Sequence, residues 1–499
     1  MKGFGIDFGT TNSLIAYYNT DIAREPRSFM DNGRPHPSLV WYRPDSSKPI
    51  VGWEARKQMH QVQNRMGHAF IHSVKRAMVQ EREVPIIGNA RKAAREVGAD
   101  ILKHLLTHAR ASDKAAASGL DSCVMTVPVN SSGRYRRQLR LAAEHAGIRV
   151  ESFAHEPFAA VFGYYFAQQA DLRRLPPHKV LVFDWGGGTL DITLVQVADG
   201  RVFELGNSNL EHCAGNEFTE QLTTLVREQF LGTFGLTVEK LLLDAESKDR
   251  VWVSVENAKI ALSTVPTVQV DIPNYFTQNG TIFDLSEKLA RDHYEKRIAT
   301  SVDSSKAKVY ECLQRAGVEP ASVDLVLLIG GTSRTPLVQQ KIHEIFTAKV
   351  VAVEDADSVI AKGAAVISAH KWRPYLVKPI TVKLADKSFL SLFDHGQTLA
   401  APFASKRFTF FCVDGRNGIA HLLFHEQQRP HDPTIQKSLN CNLGVPTAQT
   451  VRSVADLDRI DVECFVTEDL AIKVTARSSS LGKQETMEIP DLCYGLETN

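Results

Sequence analysis

The sequence predicts an α/β fold built from a duplicated unit and followed by an all-β module. Three observations predict it. A strand, an aspartate, a Gly-rich turn and a second strand occur twice, as GIDFGTTNSLIAYY (Gly5 to Tyr18) and FDWGGGTLDITLV (Phe183 to Val195). Around both copies, strand-like and helix-like runs alternate, as a layered α/β fold requires. After about His370 long helical periodicity ends, and short alternating runs separated by turn residues take over.

The elements follow in order. Each repeated segment reads as a β-hairpin whose glycines let backbone N–H groups face an anion. Cys123 to Val127 is a strand that Pro128 terminates, Tyr135 to Ala146 a helix stopped by Gly147, and Arg149 to Ala154 a strand again. Glu156 reads as a loop acid before Pro157. Val323 to Ile329 is a continuous apolar strand, leading through GGTSRTP into a helix from Pro336 to Phe346, with another helix near Ser358 to Ala369. Residues 371–379, with two prolines, read as a linker, 380–490 as the all-β module and 491–499 as a short tail. Within the module the strand candidates are Phe410 to Val413, His421 to Phe424, Asp461 to Val466 and Ala471 to Ala476.

Bulk properties fit this division. The 499 residues exceed the roughly 250–300 that one core reaches, so two to four folding units are expected. Lys plus Arg number 58 against 57 Asp plus Glu, a formal charge of +1, which gives no global field for nucleic acid or an anionic membrane. Seven scattered cysteines without a CxxC pair suggest neither a disulfide framework nor a zinc site, and suit a reducing cytosol. No run of about 18 uncharged apolar residues occurs, and the N-terminus reads as strand and turn instead of a leader, so a soluble cytoplasmic protein is expected.

The hairpins carry the chemistry. Gly9, Thr10 and Thr11 form one tip able to donate to phosphate oxygens, and Gly186, Gly187, Gly188 and Thr189 form the other. Asp7, Asp184 and Asp191 flank the tips and suit a hydrated Mg²⁺. Either hairpin alone is a weak signal, but two facing each other would clamp a triphosphate and its metal for phosphoryl transfer to water.

These residues resemble the 70-kDa heat-shock (DnaK) chaperone family, in order across nearly the whole chain. GIDFGTTNS is similar to its first phosphate loop, FDWGGGTLD to its second and LLIGGTSRTPLVQQKI to the strand and helix that support the adenosine. VPVNSSGRYRRQLRLAAEHAGIRVESFAHEPFAA is similar to its interdomain-signalling stretch and VENAKIALS to its adenine-binding helix. The resemblance implies an actin-like nucleotide-binding domain over residues 1–370, binding ATP or ADP with Mg²⁺ and possible K⁺, and slow ATP hydrolysis coupled to binding of extended polypeptide.

It also implies residue roles. Lys75 matches the catalytic lysine, acting with Asp7, Asp184, Asp191 and Thr189. Gly9, Thr10, Thr11, Asn12 and Gly186 to Gly188 would hold phosphate. Glu256, Lys259 and Ser263, on one helical face, would grip ribose and adenine, with Gly215, Asn216, Gly330, Gly331, Ser333, Arg334 and Asp357 around them. Pro128 and Glu156 match the residues that couple nucleotide state to domain rotation. The β-rich part resembles the family's substrate-binding sandwich, with Phe389 to Phe393 and Ile419 as candidate peptide contacts. Partners implied are unfolded polypeptide, a J-domain co-chaperone and a nucleotide-exchange factor, with no nucleic acid and no membrane.

Several features depart from the family pattern. Ala214–Gly215 stands for its usual pair of glycines and Thr219 for an aspartate. A helical lid is expected to be missing. The linker is basic and proline-containing, and in it Tyr375, Leu376 and Val377 form the only contiguous apolar run. Leu376 and Val377 are therefore expected to dock as an extended strand on the nucleotide domain when ATP closes its lobes. A non-cycling nucleotide-binding adaptor with a dedicated partner is the alternative reading; a sugar kinase or filament former fits the β module less well.

Overall fold

In a computed structural model, the chain is described throughout except for residues 22–24, 62–66, 115, 236–244, 279–280, 347–348, 400–404, 428–434, 448–456 and 499. The duplication seen in the sequence reappears as topology. In the first half, Lys2–Phe8 pairs antiparallel with Asn12–Asn19 and parallel with Ser122–Val127, which pairs parallel with Arg149–His155. In the second, His178–Trp185 pairs antiparallel with Thr189–Ala198 and parallel with Leu325–Ile329, which pairs parallel with Lys349–Ala352. Each half is thus a hairpin extended on one side by two parallel strands.

Helices Glu156–Ala167 and Val359–His370 pack together between the two sheets. Small residues make the approach possible. A Cβ on Gly363 would lie 1.8 Å from the Ala159 carbonyl oxygen, and one on Gly5 would lie 2.4 Å from that of Ala361. VIAKGAAVISAH is therefore Ala- and Gly-rich because its backbone presses on both a helix and a strand.

Beyond these halves, two four-stranded antiparallel sheets form the β module. One runs Phe389–Phe393, Ile380–Lys383, Ile419–Gln427, Ile435–Gly444; the other Lys406–Cys412, Asp458–Val466, Ile472–Ser478, Gln484–Ile489. In Asp458–Val466 every second side chain is buried, the period of a sheet with one covered face. None of the seven cysteines forms a disulfide. Among the described residues no helix is long and apolar enough to cross a membrane.

Within the segment 371–379 Arg373–Leu376 is a strand, and within 491–499 Tyr494–Glu497 is another. They pair with each other, and Tyr494–Glu497 pairs onward with Arg201–Glu211, so both extend the second half's sheet to seven strands. Pro374 is tolerated because this is an outer strand of that sheet, where a missing N–H costs little. Glu156 is not in a loop: it opens the helix Glu156–Ala167, with Pro157 in the first turn, where proline's fixed φ suits a helix start.

The close helix contact yields a test. Gly363→Ala should lower the thermal unfolding midpoint by several degrees, since overpacking costs about 1–3 kcal/mol. Gly232→Ala, in a helix with open space at its Cβ position, should leave the midpoint unchanged or raise it slightly.

Candidate nucleotide-binding site

The two hairpin tips meet across a cleft. A Cβ on Gly187 would come within 2.2 Å of Thr11 Oγ1, and one on Gly188 within 3.1 Å of Thr10 Cγ2. Only a residue without a side chain lets the tips stand this close. Each is braced from behind: Ser38 Oγ donates to the Gly9 carbonyl at 2.9 Å and Thr332 Oγ1 to that of Gly186 at 2.8 Å. Arg76 Nη2 donates to the Gly188 carbonyl at 2.8 Å, tying the first half to the second tip.

One cavity lies between the tips and gathers Asp7, Gly9, Thr10, Thr11, Asn12, Lys75, Glu156, Asp184, Gly186, Gly187, Gly188, Thr189, Asp191, Gly330, Gly331 and Asp357. Thr11 Oγ1 is buried there without a hydrogen-bond partner, a donor available to a ligand. Thr126 Oγ1 donates to Asp7 at 2.9 Å, and Thr189 Oγ1 to Asp191 at 2.7 Å. Asp184 faces Asp191 across the second hairpin's register. Gly330, at φ +77°, leaves no room for a Cβ, which would lie 2.6 Å from Asp184 Oδ1.

Charge in this cavity is concentrated and poorly hydrated. Lys75 Nζ donates to Glu156 at 2.8 Å, and both side chains are only 12% exposed. Burial, then the neighbouring Glu156 carboxylate, pushes Asp7 up to about 6, against the opposing pull of Lys75. The same two causes push Asp191 up to about 6, and Asp184, most affected by burial, well above the usual carboxylate range. For Lys75 burial favours loss of the proton, but Glu156, Tyr135 and Asp7 outweigh it and hold the ammonium above its ordinary value. Pro128 and Glu156 line a small recess behind the cavity with Asp184 and Asp191.

The base-binding candidates divide. Asn216 and Glu256 line an adjoining cavity that shares Thr10 and Thr11. Glu256 is engaged there by Arg56, a contact between the two halves. Lys259 Nζ donates to the Gly215 carbonyl at 2.5 Å and to Thr219 Oγ1 at 2.8 Å, so the threonine that departs from the family pattern is a lysine partner here. Ser263 lies one residue beyond the helix Ala245–Leu262 instead of on its face. Arg334 pairs with Asp357 at 3.4 Å, and Ser333 Oγ donates to the Gly330 carbonyl at 2.7 Å. Gly215, Lys259, Ser263, Ser333 and Arg334 line neither cavity.

Ser38, Arg56, Arg76, Thr126 and Thr332 escape sequence reasoning. Arg76 alone carries a signal, as the neighbour of Lys75 in Ser-Val-Lys-Arg.

With this geometry in place, comparison with known proteins is decisive. The Hsp70 protein family model matches residues 3–392. The chain belongs to the Hsp70 family. This Hsp70 chain is 25% identical over 497 residues to a protein named Chaperone protein DnaK from Thermosipho melanesiensis, covering 97% of the chain and 79% of that relative. It is 26% identical over 496 residues to the protein of the same name from Thermotoga neapolitana, covering 97% and 80%. The family match runs continuously across both hairpins and into the β module.

The residues suit an Mg²⁺–nucleotide, with hard carboxylate oxygens around two amide-rich tips and an unpartnered buried hydroxyl. Among the described residues no three His, Cys, Asp or Glu side chains converge as direct metal ligands. Lys259 gives the testable electrostatic feature. Burial lowers it to about 8, with Glu256 opposing, so it is charged at pH 7 and loses that charge as pH rises through about 8. Lys259 lines neither cavity but holds the Gly215 carbonyl beside Asn216, which does, so loss of its charge should loosen that loop: ATP affinity measured by calorimetry should weaken between pH 7 and pH 9, and Lys259→Met should bind more weakly and lose most of that pH dependence.

Proposed function

We propose that this chain is an ATP-dependent chaperone of the DnaK type, hydrolysing ATP slowly and coupling the cycle to extended polypeptide. The observation that carries the reading is the buried Lys75–Glu156 pair set among Asp7, Asp184 and Asp191 behind two touching phosphate-type tips. The tips would hold the phosphates through backbone N–H groups and the hydroxyls of Thr10, Thr11 and Thr189. Asp7, Asp184 and Asp191 would hold Mg²⁺ through its waters, and the metal's chemistry would be neutralisation of phosphate charge. Lys75 adds a positive point charge beside the γ-phosphate and orients water. A potassium ion would serve the same electrostatic end.

Slow turnover fits this set of groups. The ammonium that would face the phosphate is shared with Glu156, which offsets part of its charge.

The actin-like description is supported by the matching strand orders of the two halves. The reading assigns 1–370 to the nucleotide domain and 380–490 to the substrate-binding sandwich, with 371–379 and 491–499 as the segments between and after them. In the sandwich, Phe389–Phe393 is a strand whose first three side chains are at least partly accessible, and Ile419 is 37% exposed. A J-domain co-chaperone, an exchange factor and a cytoplasmic location complete the proposal.

The adaptor alternative draws support from one observation, the Arg373–Leu376 strand held in the sheet by Tyr494–Glu497, a seam suited to a module that does not undock. One experiment separates them. Lys75→Ala should retain ATP affinity within about threefold and lose single-turnover hydrolysis by roughly two orders of magnitude or more. Undiminished turnover in the variant would overturn the catalytic role, and tight binding without turnover in the wild type would favour the adaptor.

A further inference from the structure

The segment that follows the last sandwich strand returns to the nucleotide domain. Tyr494–Glu497 lies between Arg201–Val202 and Arg373–Leu376. It is held at its far end by Arg201, whose Nη2 is 2.9 Å from Glu497 Oε1. Gly495 marks how tightly it is seated: a Cβ there would lie 2.7 Å from both the Tyr375 ring and the Val202 carbonyl oxygen.

This seating drives Tyr494 into the first half. Its side chain is fully buried, with its ring 4.1 Å from the His155 imidazole at 38° and the Arg136 guanidinium 6.0 Å from its centre. Neither His155 nitrogen nor the Tyr494 hydroxyl has a hydrogen-bond partner, so the contact between them is one of packing. Burial, reinforced by Arg136, lowers His155 to about 3 and keeps it neutral. His155 directly precedes Glu156, which opens the next helix and accepts the hydrogen bond from Lys75. An unbroken physical path therefore runs from Tyr494 through His155 and Glu156 to Lys75.

We propose that Tyr494 is a positioning residue that restrains ATP hydrolysis: its ring fixes His155, and with it Glu156, in the place where Glu156 holds the Lys75 ammonium. The proposal rests on the ATPase reading above. Glu156 offsets part of the charge that Lys75 offers a phosphate, so whatever holds Glu156 still also holds turnover down. Removing the ring leaves a void beside His155 that frees the start of the Glu156 helix. Unseating the strand elsewhere does the same without touching His155.

Single-turnover ATP hydrolysis by the full chain is the test. Tyr494→Ala should raise the rate roughly three- to thirtyfold with ATP affinity within about twofold of wild type, and Tyr494→Phe, which keeps the ring, should restore the wild-type rate. Gly495→Val should raise the rate as Tyr494→Ala does. In a Glu156→Gln background, Tyr494→Ala should add nothing, which a merely structural role would not produce. If Tyr494→Ala does not fold, Tyr494→Leu, which keeps bulk but not the flat face, replaces it under the same expectation. An unchanged or lowered rate, or an equal rise in both backgrounds, overturns the proposal. Loss of turnover in Lys75→Ala together with a silent Tyr494→Ala defeats this proposal alone, whereas full turnover in Lys75→Ala defeats the ATPase reading.

Discussion

The architecture of this Hsp70 chain depends on keeping two glycine tips in contact across a cleft that also buries four carboxylates and one ammonium. Gly187 against Thr11 sets the distance between the halves, and that distance leaves Asp7, Asp184, Asp191 and Glu156 little water. Burying like charges together is unfavourable unless some of them hold protons or a cation joins them. Lys75 is one positive charge against four acids. The raised values of Asp7, Asp184 and Asp191 express that imbalance, and it is the electrostatic reason the site suits a ligand that arrives with divalent charge.

The same closeness links the site to the β module. Arg136, on the helix Gly133–Ala146, is fully buried and donates to the carbonyls of Asp469, Leu470 and Pro490. Arg137 and Arg140, on the same helix, grip the buried Asp469 carboxylate at 3.2 Å and 2.8 Å. A guanidinium with four carbonyl partners, three of them across the joint and one at Ser131, is a strong but conditional joint, because separating the modules strands a buried charge. Helix Gly133–Ala146 follows the strand that ends before Pro128 and precedes the strand that ends at His155. The sandwich is thus attached to the helix between the two strands that lead to Pro128 and Glu156, which line the recess behind the site.

Local signals made the hairpins legible. Glycine, threonine and aspartate at fixed spacing between apolar runs have few structural alternatives, and the repeat implied two facing copies. Strands such as Ser122–Val127 and Leu325–Ile329 were legible for the same reason, as apolar runs bounded by breakers. What the sequence hid were long-range pairings. Nothing local says that Tyr494–Glu497 crosses back to Arg201, almost three hundred residues earlier, or that a segment with two prolines becomes an outer strand beside it. Thr126, Thr332 and Arg56 were equally hidden, since each is an ordinary polar residue until folding places it beside Asp7, Gly186 or Glu256. Ser263 shows the converse error: helical spacing placed it on a face that ends one residue earlier.

The central claim is that both tips hold one nucleotide's phosphates at once. A crystal structure with Mg²⁺ and a non-hydrolysable ATP analogue tests it most directly. The account predicts phosphate oxygens within hydrogen-bond distance of backbone N–H groups from both Gly9–Thr11 and Gly186–Thr189, with Lys75 reaching the γ-phosphate. A nucleotide bound to one tip only, or outside the cleft, would contradict it.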